Sequence, residues 1–141
     1  MISTRGRYAL RVMIDMAEHP NGAYIPMKEV AERQGISLKY IERIMPLLSS
    51  GGLVEGLHGK GGGYRLCRAP EDYTVYEILR LTEGDLAPVA CLTAGAAPCA
   101  RAAECRTLPL WRKYFCLISD FFLSVRLSDL MQSENTCDYI I

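Results

Sequence analysis

The chain has 141 residues, half of them apolar and 23% charged, and its 16 basic side chains balance 16 acidic ones. This length suits one domain or a small domain with an appended element, and the apolar share is enough for a core. No apolar run reaches the roughly 18 residues of a spanning helix, and arginines interrupt the N-terminal segment, so we expect a cytoplasmic protein without a signal peptide. In that compartment, six cysteines favour metal ligands or core residues over disulfides.

The balanced total charge hides an asymmetry between the two halves. Residues 1–70 carry ten Lys/Arg against six Asp/Glu, and residues 71–141 carry six against ten. The basic half is the candidate for contact with phosphate groups. A solvated charged face produces the same count, so local motifs must decide between the two interpretations.

The first three predicted elements are helices. Apolar residues at helical spacing predict the first over residues 4–18. After the breaker HPNG, Pro26 can open a second helix over residues 26–34. Ser37 can cap a third helix that reaches residue 50, and Pro46 inside it should kink or shorten it.

The second and third helices have the anatomy of a helix-turn-helix. Ala31 is small enough for close crossing, Gly35 can adopt the left-handed turn conformation, and Ile41 can fill the space between the helices. The outward residues of the third helix are the candidates for base contact in a major groove: Ser37, Lys39, Tyr40, Glu42 and Arg43. Arginine can pair with guanine, and glutamate can accept a hydrogen bond from cytosine.

Two strand-like runs, LVEGL and YRLCR, flank HGKGGG and predict a β-hairpin. A wing with His58 and Lys60 suits the minor groove or its phosphates. Further candidates for DNA contact are Arg5, Arg7, Lys28 and Arg65. The glycine run lacks the GxxxxGKS or GxxxxGKT pattern of a nucleotide-binding loop and the helix that must follow it.

Two more helices are predicted after the wing. Thr74 and Glu77 form a capping box for a fourth helix, which Gly84 ends. Pro109 can open a long final helix whose apolar stripe is either core or a dimer seam. We favour the seam, because a helix-turn-helix normally reads paired half-sites. Its candidate residues are Trp111, Phe115, Ile118, Phe122 and Val125, with Tyr114 and Phe121 as alternatives.

The predicted fold is therefore mainly α with a small β-hairpin wing. Residues 1–84 would form a winged helix-turn-helix domain and residues 85–107 a cysteine-containing loop. Residues 108–131 would form a dimerisation helix with a last short turn, followed by a tail over residues 132–141 that shows no periodicity.

Cys91, Cys99 and Cys105 lie in a loop rich in Ala, Gly and Pro. Thiolates bind soft metals, and such a loop can wrap three sulfurs around one centre. The spacing matches none of the usual zinc patterns, and small buried hydrophobic cysteines are the alternative. The pattern predicts a metal site without identifying the metal.

Four segments together resemble, in order and spacing, the Rrf2 family of bacterial winged-helix regulators. These are TRGRYALRVMIDMAEH, EVAERQGISLKYIERI, GLHGKGGGYRL and the cysteine triplet followed by TLPLW, within residues 1–131. The resemblance implies a homodimeric DNA-binding transcriptional regulator, such as a repressor, that holds a 2Fe-2S cluster on the three cysteines. Such a protein would sense iron-sulfur cluster, iron or redox status and control genes such as those of cluster assembly.

The resemblance leaves the fourth cluster ligand open. Cluster-binding members use a histidine three residues after the third cysteine, here Leu108, or an acidic residue of the partner's first helix, here Tyr8. Glu104 or Asp85 could supply an oxygen instead. Some members regulate without a cluster, so a metal-free or zinc-containing repressor is the alternative. An iron-sulfur redox carrier is the least favoured reading, and no nucleophile-base pair indicates an enzyme.

Overall fold

The computed structural model describes residues 1–131, and the predicted tail over residues 132–141 lies outside the described residues. In the described part, six α-helices and one antiparallel hairpin follow one another along the chain. Their bounds are α1 Thr4–Glu18, α2 Met27–Gln34, α3 Leu38–Ser50, β1 Val54–Leu57, β2 Gly63–Leu66, α4 Val75–Glu83, α5 Leu108–Ser124 and α6 Leu127–Leu130. This order confirms the predicted mainly helical fold with a β-hairpin wing. None of these helices is long and apolar enough to cross a bilayer.

Local capping explains where the helices of the winged domain begin. The Ser37 hydroxyl oxygen accepts a hydrogen bond from the Tyr40 N–H and starts α3. The predicted capping box of Thr74 and Glu77 starts α4. Between α2 and α3, Gly35 has a φ of 64°, a left-handed conformation that glycine adopts without strain. These contacts confirm the predicted helix-turn-helix and the start of the fourth helix.

The third helix runs through its proline. α3 continues past Pro46 to Ser50, so of the two predicted effects, a kink or a shorter helix, the shorter helix was wrong. A proline removes one helical hydrogen bond and crowds the carbonyl four residues before it. Here the neighbouring Ile44, Met45 and Leu48 are fully buried, and this packing holds the helix together despite the lost bond.

The wing is tied to the connection between α1 and α2. Ile25 forms a bridge with Tyr64 of β2, with N···O distances of 2.8 and 3.0 Å. A Cβ on Gly63 would collide with the carbonyl of Ile25, so this close approach requires glycine. The hairpin and the helix-turn-helix therefore form one unit.

The chain after α5 returns to the winged domain. The Val75 N–H donates to the Val125 carbonyl at 2.9 Å, and the Leu127 N–H donates to the Tyr73 carbonyl at 3.0 Å. Leu127 is fully buried in the main core. Residues 125–131, which the sequence grouped with the dimerisation helix, also pack on the winged domain, because Val125 and Leu127 point into two apolar clusters of that domain. The dimerisation role of residues 108–131 stays a prediction.

Candidate nucleic-acid interface and cysteine loop

The outward face of α3 presents three charged side chains. Lys39, Glu42 and Arg43 are all exposed. Ser37 is exposed too, but its hydroxyl oxygen already accepts from the Tyr40 N–H at 3.2 Å. The ring of Tyr40 is half-buried and meets the ring of Tyr8 edge to face, with 5.2 Å between centroids. The charged residues are therefore available for contact, whereas Tyr40 also holds α3 against α1.

A cleft separates the first half of α3 from the wing. Its lining includes Lys28, Glu42 and His58, together with Leu38 and Leu57. These two leucines are 36% and 46% exposed. An apolar side chain beside a recognition helix can contact a thymine methyl group. Leu38 is therefore a candidate that the helical periodicity missed, since its first-turn position lies beyond the edge of the core.

Arg65 lies on a different side of the hairpin. Together with Glu55 it lines a separate cavity near the end of α1, which includes Met16 and Pro20. Its guanidinium forms an ion pair with Glu55 and lies 4.6 Å from the ring centroid of Tyr24. The hydrogen bond to Glu55 raises the pKa of Arg65. The charge of Arg65 is thus already paired with Glu55 beside a cavity separate from the cleft, and its predicted contact with DNA stays a prediction.

Of the two N-terminal arginines, Arg5 lies beside the recognition helix. A shallow cavity between α1 and α3 is lined by Ser3, Thr4, Arg5, Tyr40, Arg43, Ile44 and Leu47. Arg5 donates through Nε to the carbonyl of Thr82 at 2.7 Å, and Arg7 donates to the hydroxyl of Thr4 at 3.1 Å. Both arginines are exposed. The structure thus brings Arg5 and Arg43 to one surface.

The three cysteines are accessible along the loop between α4 and α5. Cys91 and Cys99 are exposed, and Cys105 is partly exposed. The Thr107 hydroxyl lies 3.5 Å from the sulfur of Cys105, and this contact, with the N–H groups of Thr107 and Leu108, lowers the pKa of the Cys105 thiol. A lower pKa favours the thiolate, which is the metal-binding form.

The thiols of the cysteine loop are suitable ligands for a soft metal, but they are too far apart in this structure to bind one metal ion together. In residues 1–131, no three His, Cys, Asp or Glu side chains are close enough together to hold a metal ion. Three accessible thiols on one loop are nevertheless suitable ligands for iron or zinc. The loop would have to bring the thiolates together to hold either metal.

Asp85 organises the start of this loop. Its two carboxylate oxygens accept from the N–H groups of Ala87 at 2.7 Å and Ala94 at 3.0 Å. The hydrogen bonds from Ala94 and Ala87 lower the pKa of Asp85. Of the two oxygen donors considered as a fourth ligand, Asp85 is thus engaged with the loop backbone, whereas Glu104 is exposed. Leu108 is buried.

The helix α5 carries two adjacent apolar stripes. The residues predicted for the dimer seam on this helix are partly buried by the chain itself: Trp111, Phe115, Ile118 and Phe122. Val125 follows the helix and is already buried within the chain against Val75 and Leu79, with 7% exposure, and its place in a seam stays a prediction. A second stripe is between 49% and 60% exposed: Leu110, Tyr114, Leu117 and Phe121.

A helix-turn-helix followed by a β-hairpin wing, with cationic side chains on both, defines a winged-helix DNA-binding protein. The sequence model of the Rrf2 family, described as an iron-dependent transcriptional regulator, matches residues 2–133. The chain belongs to the Rrf2 family of transcriptional regulators.

Several named relatives are similar over most of the chain. The HTH-type transcriptional regulator IscR of Vibrio atlanticus is 34% identical over 137 residues, which cover 97% of this chain and 78% of that protein. IscR of Aliivibrio salmonicida is 35% identical over 130 residues, or 92% and 76% of the two chains. These relatives are regulators and not enzymes, and the same class describes this chain.

Two solved structures are similar in fold. The structure of CymR, the global cysteine regulator of B. subtilis, superposes with a TM-score of 0.73 at 31% identity, over 92% of this chain and 95% of CymR. The structure of T. potens IscR gives a TM-score of 0.69 at 31% identity, over 92% and 85% of the two chains. The fold is shared with an IscR and with a cysteine regulator.

Proposed function

We propose that this regulator binds duplex DNA as a homodimer and that an iron-sulfur cluster on residues 85–107 sets its affinity for particular operators. The observation that carries the proposal is the combination, in one chain, of a cleft between α3 and the wing, lined by Lys28 and His58, and a loop with three accessible thiols. The cleft would supply the surface that contacts the bases, called the reading surface below. The loop would supply thiol ligands for a metal site that can be occupied or empty.

The DNA contacts follow from the placement of the charged residues. Lys39, Glu42 and Arg43 would face base edges in a major groove, with Ser37 and Tyr40 at the margin. His58 and Lys60 of the wing would reach the neighbouring minor groove or its phosphates. Three further cations border this surface and would contact phosphates: Arg5, Arg7 and Lys28.

Glu42 would act mainly as a discriminator. Its carboxylate can accept from the amino group of cytosine and repels phosphate where that base is absent. Glu42→Ala should therefore broaden the set of sequences selected from a random DNA library, without general loss of affinity. Glu71→Ala removes an equivalent exposed charge outside the reading surface and should select the wild-type set. A uniform drop across all sites would contradict this role of Glu42.

The cysteine loop would hold the cluster through Cys91, Cys99 and Cys105, with Glu104 as a candidate fourth ligand. A bound 2Fe-2S cluster would supply one-electron redox chemistry at that loop. The lowered pKa of Cys105 favours its thiolate, and the iron-dependent character of the family supports iron. Asp85 would position the loop by holding the backbone of Ala87 and Ala94.

The test is to replace the three cysteines together with alanine. After oxygen-free purification, wild-type protein should absorb visible light and contain iron, and the triple variant should be colourless and still dimeric. Cluster-loaded and cluster-free wild type should differ at least about fivefold in affinity for one operator at fixed salt, within the usual range of allosteric coupling. Superimposable titration curves would mean that the cluster is not the signal.

A metal-free or zinc-containing regulator is the second candidate. The observation that favours it is that the thiols are not gathered in the described residues, and the fold is also that of a cysteine regulator. A colourless protein with one zinc per chain would support a zinc site. A colourless protein without metal would support regulation through the thiols or a partner.

A further inference from the structure

The last turn of α4 and the first turn of α1 make reciprocal contacts. Both the N–H and the hydroxyl of Ser3 donate to Glu83 Oε1, at 2.9 and 2.8 Å. In return, Arg5 Nε donates to the carbonyl of Thr82 at 2.7 Å. The carboxylate lies at the positive end of one helix dipole and the guanidinium at the negative end of the other. Both placements are favourable, and they complement one another.

These contacts continue into the backbone of α1. The Gly6 N–H donates to the Ser3 hydroxyl oxygen at 3.3 Å, so one hydroxyl links the Glu83 carboxylate to the first turn of the helix. A Cβ on Gly6 would collide with that carboxylate. The approach of the two helix ends is therefore close, and it depends on a residue without a side chain.

These contacts between the ends of α1 and α4 lie between the cysteine loop and the surface of α3 that would face DNA. On the loop side, Asp85 follows Glu83 after one residue, and Leu86 packs with Ile2 on the same small apolar cluster. On the other side, Arg5 lines the cavity that also includes Arg43 of α3. A displacement at the start of the loop would thus be passed to the first turn of α1, which carries Arg5.

We propose that Glu83 is a positioning residue for DNA binding. It holds the first turn of α1, and with it Arg5, beside the recognition helix, and it transmits the state of the cysteine loop to that turn. The positioning role needs only the contacts described above. The transmitting role rests on the proposed function of the cysteine loop.

Four variants separate the contact from a general change in charge or stability. Glu83→Ala removes the acceptor, whereas Glu83→Gln keeps one side-chain oxygen for Ser3. Gly6→Ala displaces the Glu83 carboxylate from the α1 side of the contact without changing the charge. Alanine is favoured over glycine in a helix by about 1 kcal/mol, so this variant should not weaken α1 itself. Glu18→Ala is the control, since it removes a glutamate from the other end of α1.

The first measurement is the slope of log affinity against log salt for cluster-free protein. Each phosphate contact adds about 0.9 to the negative slope. Glu83→Ala and Gly6→Ala should each lose about one contact, while Glu83→Gln and Glu18→Ala keep the wild-type slope. Wild-type slopes in both Glu83→Ala and Gly6→Ala would overturn the positioning role. If Glu83→Ala does not fold, Gly6→Ala decides alone.

The second measurement is the ratio of operator affinities for cluster-loaded and cluster-free protein, with iron content checked in each variant. Where wild type shows a ratio of about fivefold or more, Glu83→Ala and Gly6→Ala should bring it close to one at unchanged iron content. An unchanged ratio in these variants would overturn the transmitting role. If the wild-type ratio is one, the proposed cluster function is wrong, and the transmitting role of Glu83 is wrong as well. The salt slope still tests the positioning role independently.

Discussion

The hydroxyl of Tyr73, seven residues after the wing, donates to the carbonyl oxygen of Leu53, the residue before the wing, at 2.6 Å. The same oxygen accepts from the N–H groups of Cys67 and Arg68 at 2.9 and 3.0 Å. Tyr73 is fully buried, and its burial raises the pKa of the phenol. One neutral hydroxyl therefore closes the base of the hairpin.

Tyr73→Phe should destabilise the protein by about 1–3 kcal/mol, because it removes the hydroxyl that bonds the backbone groups of Leu53, Cys67 and Arg68 at the base of the wing. Urea denaturation followed by circular dichroism measures the change. Tyr76→Phe, at a half-buried position on α4, is the matched control and should stay within about 0.5 kcal/mol of wild type. Equal stabilities for the two variants would mean that the Tyr73 hydroxyl does not hold the wing.

The pair of Asp15 and Arg33 should be the most acid-sensitive contact of the winged domain. Asp15 is buried and accepts from Arg33 at 2.7 Å and from Gln34 at 2.8 Å. Burial alone would raise the pKa of Asp15, but these hydrogen bonds and the charge of Arg33 together lower it. Asp15→Asn should cost about 3 kcal/mol, the lower end for a broken buried pair, since Arg33 is 31% exposed.

The direction of the pH dependence follows from that lowered pKa. The stabilisation by Asp15 is complete above the ordinary aspartate pKa of about 3.9 and is lost as pH falls through the lower folded-state value. Urea midpoints between pH 7 and pH 2 should therefore fall more steeply for wild type than for Asp15→Asn. Parallel curves would contradict this contribution.

Lys60 and Arg65 should differ in their contribution to DNA binding. Lys60→Ala should lower the salt slope of DNA affinity by about 0.9, as expected for one lost phosphate contact. Arg65→Ala is the matched control from the same hairpin, and its slope should stay unchanged because Arg65 pairs with Glu55 on another side. Fluorescence anisotropy at several salt concentrations gives both slopes. A lower slope for Arg65→Ala with an unchanged slope for Lys60→Ala would place the DNA on the Arg65 side of the hairpin.

Leu38 should contact a thymine methyl group at the start of α3. In an operator found by selection, replacing the contacted thymine with uracil removes one methyl group and should weaken wild-type binding about fourfold, equivalent to about 0.8 kcal/mol. Leu38→Ala should bind both DNAs alike, and Leu57→Ala should keep the wild-type difference. A fourfold loss that persists in Leu38→Ala would assign the methyl contact to another residue.

The exposed stripe of α5 should contribute to the homodimer. Leu117→Glu places a charge in the centre of that stripe and should shift the protein toward monomers in sedimentation velocity. Leu123→Glu is the control, because Leu123 is 45% exposed but lies about 240° around the helix from Leu117. If Leu117→Glu remains as dimeric as wild type, the seam lies elsewhere.

Elements set by local contacts could be predicted from the sequence. Ser37 and Thr74 cap helices through groups three residues further on, and Gly35 ends a helix through its own conformation. The outward charges of α3 follow from the same periodicity. The pairing of Arg65 with Glu55 could not be predicted, because it depends on the packing of the hairpin against α1, which the strand pattern does not specify.

Contacts between distant residues could not be predicted in the same way. Ser3 and Glu83 are 80 positions apart, and neither residue stands out in a local pattern. Val125 was assigned to the dimer helix because it continues the apolar spacing of α5, although the helix ends at Ser124. The cysteine triplet predicted a set of ligands, but its spacing does not specify how the loop folds around them.

Because residues 125–131 pack back on the winged domain, the core of that domain is completed late in synthesis. Leu127 fills a place in a core otherwise built mainly from residues 9–78, so a nascent chain that ends before it exposes apolar side chains of that core to water. The recognition helix and wing emerge early, but their support is finished only when α6 has left the ribosome. The cysteine loop and α5 are made before that moment, and DNA binding should therefore mature last.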